Sequence, residues 1–188
     1  MPASLDLFLS APSITATPSI DLQDANGSTV FRIITHAPSS ATGGTSTLSR
    51  IKSDKESGVS LAVMVGIIEW RSVGKTVFCT GDGESRSIED YLPRQGSMSR
   101  IRAFVSRRGR RYTWTPNRKC LELVRDDGTV VVRSSSGSNS LFGKRRPPHV
   151  TIFESCFDDV DEIILTYIYI QRMEERRKDS ERQHTSFA

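Results

Sequence analysis

The chain is expected to be mainly β, a closed antiparallel β-barrel around one hydrophobic C-terminal helix. Three observations lead there. Short apolar runs recur at regular spacing between turn residues, the pattern of a barrel or a sandwich. Asp126-Asp127-Gly128 separates two such runs, and Asp-Gly supplies the positive φ that tight hairpins demand. Late in the chain, Ile163 to Ile170 leaves no wide polar face, and a helix that is apolar all round is a buried helix. The run is too short to span a bilayer, which takes roughly 20 residues.

The helix is read over residues 158–177. It opens on Asp158, Asp159, Asp161 and Glu162 and closes on Arg172, Arg176 and Arg177, with Lys178 just beyond. Acid at the start and base at the finish is the polarity a helix macrodipole favours. Ile, Thr and Tyr also suit a strand, which stays the competing reading.

Ahead of it, residues 1–20 are rich in Ser, Pro and Ala and read as a poorly ordered lead-in with room for one short strand. A single barrel domain is expected over 21–178. The turn Asp24-Ala25-Asn26-Gly27 leads into a strand from Thr29 to Thr35. A flexible loop from His36 to Thr45 precedes an alternating strand from Ser46 to Lys52. Val59 to Arg71 is β-branched and nearly continuous, with Gly66 as a bulge, and pairs with Lys75 to Thr80. Ser87 to Leu92 is a short element that Pro93 closes. Two hairpins follow: Ser99 to Ser106 with Arg111 to Thr115, then Cys120 to Val124 with Thr129 to Arg133. Ser134 to Ser140 reads as a flexible linker, Val150 to Glu154 as the last strand, and 179–188 as a polar tail that frays.

The 188 residues carry 36% hydrophobic side chains and a formal charge of +4, enough for one core and only mildly basic. Cys79, Cys120 and Cys156 lie too far apart for a zinc half-site or a redox motif. The N-terminus has no basic region, and Asp6 and Pro12 interrupt its apolar residues, so no signal peptide and no transmembrane segment are expected. An intracellular, cytoplasmic protein is the expectation.

Charge is uneven along the chain. From Arg94 to Lys119 there are nine cationic residues and no Asp or Glu, with Tyr112 and Trp114 inside the stretch. Arginines beside aromatics can hold phosphates and stack on bases. Arg107, Arg108, Arg110 and Arg111 surround a turn at Gly109, and Lys144, Arg145 and Arg146 form a second cluster. Close in space, these seven would make an anion-binding surface. A solvated hairpin tip whose arginines keep an edge soluble explains the same residues. Val73-Gly74-Lys75-Thr76 looks like the end of a phosphate-binding loop, but Glu69 stands where that motif needs glycine. His36, His149 and His184 are far apart, so no catalytic, metal or cofactor-binding residues are expected.

Several short motifs then occur in a particular order. Ile68-Glu69-Trp70 is followed by Tyr91-Leu92-Pro93, Tyr112-Thr113-Trp114, Leu121-Glu122-Leu123 and Asp127-Gly128-Thr129, and the chain ends on the acidic, isoleucine-rich, arginine-closed helix. This order resembles a fungal family, abundant in basidiomycetes, whose domain has no assigned function. That family is similar to the Tubby C-terminal, LURP-one and scramblase barrels, and the resemblance covers roughly Asp21 to Lys178. It implies a closed antiparallel barrel around a hydrophobic helix and supplies no catalytic residues. Some Tubby proteins bind phosphoinositide head groups through basic residues, which do not align here. The leading expectation is a non-enzymatic binding or scaffold domain whose partner is unknown. The alternative is binding of an anionic phospholipid (phosphoinositide) surface or nucleic acid through the arginine-rich hairpin. An enzyme with a site assembled by the fold is the remaining reading.

Overall fold

Strands form wherever apolar residues alternate with polar ones between turn residues, since that period sends one row of side chains inward and the other to solvent. The computed structural model describes residues 3–14, 17–36, 43–53, 59–71, 74–81, 83–97, 99–117, 120–135, 137 and 147–185. Its strands are β1 Ser4–Leu9, β2 Ser19–Gln23, β3 Thr29–His36, β4 Thr45–Ser53, β5 Ser60–Glu69 and β6 Val77–Thr80. They continue with β7 Ser85–Ser87, β8 Arg102–Val105, β9 Arg111–Pro116, β10 Leu121–Arg125, β11 Val130–Ser135 and β12 His149–Phe153. A short helix α1, Ile88–Tyr91, lies between β7 and β8. A 3-10 turn, Glu154–Asp159, leads into the long helix α2, Val160–Thr185.

The twelve strands make one antiparallel sheet in the order β7-β6-β5-β4-β3-β2-β1-β12-β11-β10-β9-β8. Every neighbouring pair is consecutive in the chain except β1 and β12. Two meanders are therefore joined by β1, whose Ser4 pairs with Phe153 and whose Leu7 pairs with Val150. The expected lead-in is thus corrected: part of it is a central strand. Leu7 and Leu9 point into the core, and outward-facing Asp6 accepts from the Thr151 hydroxyl at 2.6 Å.

The sheet wraps around α2. Ile163 to Ile170 are all nearly inaccessible, and one core cluster joins them to inward-facing residues of eleven of the strands, from Leu7 to Ile152. Helix is therefore the right reading of that run, and strand is not. The strand ladder does not close as expected. β7 and β8 are its two ends, and among the described residues no strand pairing joins them. Instead α1 and the residues after it fill the seam with buried Ile88, Tyr91 and Leu92. The Ser87 hydroxyl caps α1 by accepting from the Asp90 N–H, and the Leu92 N–H returns to the Ile88 carbonyl at 2.8 Å.

The Gly66 bulge is present. Leu48 pairs with Gly66 and Ser49 with Met64, so Val65 is the extra residue of β5. Glycine is needed there for space, because a Cβ would lie 2.9 Å from both the Cys79 carbonyl oxygen and a Leu165 methyl. The β10–β11 hairpin turns as expected, with Gly128 at φ +82°. Helix α2 runs to Thr185, past the expected end at 177. Arg177 pairs with Glu174 and Glu181, and Arg182 with Asp179, at the three- and four-residue spacings that stabilise a helix surface. The expected flexible loop and linker, and Lys144, Arg145 and Arg146, lie wholly or largely outside the described residues.

Three substitutions test this arrangement. Ile164→Asp or Ile168→Asp buries an unpaired charge and should cost several kcal/mol, comparable with a domain's whole stability of about 5–15 kcal/mol. Both variants should be unfolded by circular dichroism. Leu7→Ala should cost about 2–5 kcal/mol if β1 is the central strand, and next to nothing if it is a loose lead-in; chemical denaturation measures the difference. Gly128→Val meets no neighbouring atom, so its cost should be backbone strain alone, on the order of 1–2 kcal/mol by the same assay.

Candidate anion-binding site

The turn between β8 and β9 gathers arginines because it is tight. The Ser106 N–H donates to the Arg110 carbonyl and the Gly109 N–H to the Ser106 carbonyl, both at 2.8 Å, with Gly109 at φ +77°. Arg107, Arg108 and Arg110 share this tip, and Arg111 opens β9 behind them. The fold sets the tip against the acidic start of α2. Arg110 donates to the Ser155 carbonyl and lies 3.3 Å from Asp158 and 3.5 Å from Asp159. Arg108 lies 3.8 Å from Asp158 and 4.0 Å from Asp159, and the Arg107 backbone N–H donates to Glu162 at 3.0 Å. Arg111 is exposed and meets no carboxylate among the described residues.

Buried Asp159 accepts from the Tyr112 hydroxyl at 2.6 Å, which together with burial pushes that phenol well above its usual range. A hollow of about 460 Å3 opens beside the tip. Asp158, Asp159, Asp161 and Glu162 line it against only Arg107 and Arg108. An incoming anion would there meet carboxylates already paired with the arginines. The aromatics of the acid-free stretch are also withdrawn. Tyr112 and Trp114 are both fully buried, and the Trp114 Nε1–H donates to the Thr166 hydroxyl of α2 at 3.0 Å. Neither can stack on a base.

The other end of α2 is different. Glu174 lies about 22 Å from Asp159 by helical rise. Around it is a pocket of about 240 Å3. Its cationic lining is Arg94, Arg100, Arg102 and Arg177, its one carboxylate is Glu174, and Ile170, Met173 and Pro116 make the apolar part. Ile170, Met173, Glu174 and Arg177 share one face of α2 because they stand at three-, four- and seven-residue intervals. Arg100 holds Glu174 at 3.0 Å and Arg177 holds it at 3.1 Å. Arg102 is nearly buried, donates to the Leu92 carbonyl at 2.6 Å, pairs with Glu89 at 3.3 Å and lies 5.3 Å over the Tyr169 ring. Arg94 meets no carboxylate among the described residues.

On the neighbouring face of α2, the Arg172 guanidinium lies 4.1 Å over the Trp70 ring, with Arg176 at 5.8 Å. Trp70 also stacks on Tyr169 and donates from Nε1 to the Ser46 hydroxyl at 2.8 Å. The Arg172 Nε is buried without a hydrogen-bond partner among the described residues. Burial, then the Arg176 charge, draws its pKa down to about 10, so it remains a cation at neutral pH. Arg94, Arg100 and Arg102 come from the stretch that composition singles out. The helix partners that complete the pocket were legible only as helical spacing, not as a site.

Catalytic groups are sparse. Among the described residues, no group of three or more His, Cys, Asp and Glu could hold a metal ion. Burial pushes the Cys156 thiol up to about 11, far from a reactive thiolate, and Cys79 and Cys120 are also free thiols. His149 packs its ring against Phe8 at the start of β12, and His36 ends β3. No helix among the described residues is long and apolar enough to cross a membrane.

A comparison with curated proteins gives no match. A solved protein from Arabidopsis thaliana is similar at 11% identity, over 90% of this chain and 89% of that one, with a TM-score of 0.41, too low to carry an argument. The family of unknown function DUF6593 matches residues 12–178, which takes in every strand from β2 to β12 and the apolar length of α2. The chain belongs to the family of unknown function DUF6593.

Proposed function

We propose that the chain is a non-enzymatic binding module that holds phosphate-bearing ligands in the arginine pocket at the C-terminal end of α2. One observation carries this reading: four guanidiniums converge on a concave surface that holds a single carboxylate. Two of them, Arg100 and Arg177, are already oriented by Glu174, so little side-chain freedom is lost on binding. Arg94 offers unengaged donors. Planar guanidiniums match the paired oxygens of a phosphate. The hairpin tip is the poorer candidate because its charge meets Asp158, Asp159 and Glu162. Buried Tyr112 and Trp114 favour a phosphate head group or a small organic phosphate over stacked nucleic acid. Three free thiols fit an intracellular, reducing compartment. The motif order and the enclosed helix support placing the fold beside the Tubby C-terminal and LURP-one barrels, within a fungal branch, with a seam closed by side chains.

The reading is tested by calorimetric titration with pyrophosphate and by co-sedimentation with vesicles containing a phosphorylated phosphatidylinositol, each at two salt concentrations. Arg94→Ser with Arg100→Ser should weaken binding about tenfold or more, near 1.4 kcal/mol. Arg107→Ser with Arg108→Ser and Arg111→Ser should leave it close to the parent. Binding should fall as salt rises, because exposed charges are screened over about 8 Å at physiological ionic strength. Equal binding by the parent and the Arg94/Arg100 variant refutes the pocket, and loss confined to the hairpin variant moves the site to the tip.

A further inference from the structure

Strand β5 has two unequal sides. On one, β4 accompanies it along its whole length, from Thr45 opposite Glu69 to Ser53 opposite Ser60. On the other, β6 pairs only with Gly66 to Glu69, and the Gly81 N–H closes on the Val65 carbonyl at 2.8 Å. Beyond that point, Leu61 to Met64 has no strand beside it among the described residues. The Val65 bulge stands at this boundary, and bulges bend and twist the strand that carries them, which here separates the outer half of β5 from the line of β6.

The side chains there are apolar and uncovered. Leu61 is 61% exposed and Met64 50%, with Val63 at 37% and Val59 at 63%. From Val59 to Val65 there is no charge and no proline, the usual protections of an edge strand. Such an edge offers a row of backbone donors and acceptors that only another extended strand satisfies.

We propose that this edge pairs antiparallel with the same edge of a second copy of the chain, about a two-fold axis at Ala62. Strand alternation puts Leu61 and Val63 on one face and Ala62 and Met64 on the other. Pairing about Ala62 sets Leu61 opposite Val63 of the second copy and Ser60 opposite its Met64. The two apolar rows then meet without a like-charge contact, as a closed isologous interface requires. The edge carries no charge pattern that would select a foreign peptide, whereas an identical strand matches it residue for residue. The 460 Å3 hollow between Met64 and the β8–β9 tip leaves open space on that side of the strand.

Sedimentation equilibrium across a range of concentrations decides the matter, using the full chain and the double variant Leu61→Lys with Val63→Lys. Both positions are exposed, so the variant should keep the parent's circular dichroism and melting temperature; Ala62→Lys serves if it does not. The parent should shift reversibly from monomer to dimer as concentration rises, and the variant should associate at least tenfold more weakly, since like charges would face each other across the axis. A parent that stays monomeric throughout, or a folded variant that dimerises as well as the parent, overturns the proposal. So does a parent that remains monomeric yet binds an unrelated apolar peptide at this edge.

Discussion

The structure depends on a helix that has no side for water. Between Asp161 and Gln171 every residue of α2 but Glu162 is buried, so no single layer of sheet can cover it. A flat sheet would leave at least half of the helix exposed. The twelve strands must therefore curl round, and the right-handed twist of an antiparallel sheet permits it. Aromatic side chains fill the space on opposite flanks. Tyr167 meets Trp114 at 6.0 Å and Tyr169 meets Trp70 at 5.8 Å, as their separation of about 200° around the helix requires. The polar groups that this burial traps are paired: Thr166 donates to the Ile163 carbonyl and accepts from Trp114.

The two ends of the enclosed helix are electrostatically unlike. Its first turn is acidic, and the β8–β9 tip supplies the opposing arginines; Arg50 adds a further pair with Asp161 at 2.6 Å. Cation and anion thus neutralise each other where the helix enters the sheet. At the far end the helix supplies the cations itself, and β8 and the residues before it bring more. Glu174 balances one of them at most. The same macrodipole preference that puts basic residues late in the helix leaves that end with surplus positive charge. Function and helix stability draw there on the same residues.

The sequence revealed the local pairings and the helix, because hairpins and apolar runs are written in neighbouring residues. The β10–β11 turn, the β5–β6 hairpin and the Gly66 bulge were legible for that reason. β1 was not. Its Leu5-Asp6-Leu7-Phe8-Leu9 alternation is short and lies among prolines and serines, and its partner is β12, about 145 residues away. Nothing local announces that pairing. The helix end was misjudged because 179–185 is polar, although Arg177 with Glu181 and Asp179 with Arg182 carry the spacing of a solvated helix. The arginine stretch was visible, but the sign of its surroundings was not. Only the fold decides that Arg107 and Arg108 face carboxylates while Arg94, Arg100 and Arg102 meet mostly other cations.

The open ladder links these features. A barrel closed by backbone hydrogen bonds presents a uniform wall, with polar groups spent on the ladder. Here the last gap, between β7 and β8, is closed by side chains: Leu92 and Tyr91 fill it, and Arg102 ties the Leu92 carbonyl to β8 while pairing with Glu89. A buried guanidinium is costly unless its donors are met, so this joint holds only while α1 supplies both acceptors. Side chains pack less evenly than a ladder, and the hollows follow the seam. One lies by Gly81 and Arg107, one by Phe78, Tyr91 and Val105, and one by Arg94 and Arg102. The place where the backbone leaves the sheet unfinished is therefore the place where chemistry-bearing side chains line concave surface, and of the three hollows only the last has an excess of cations that its own carboxylate does not cancel.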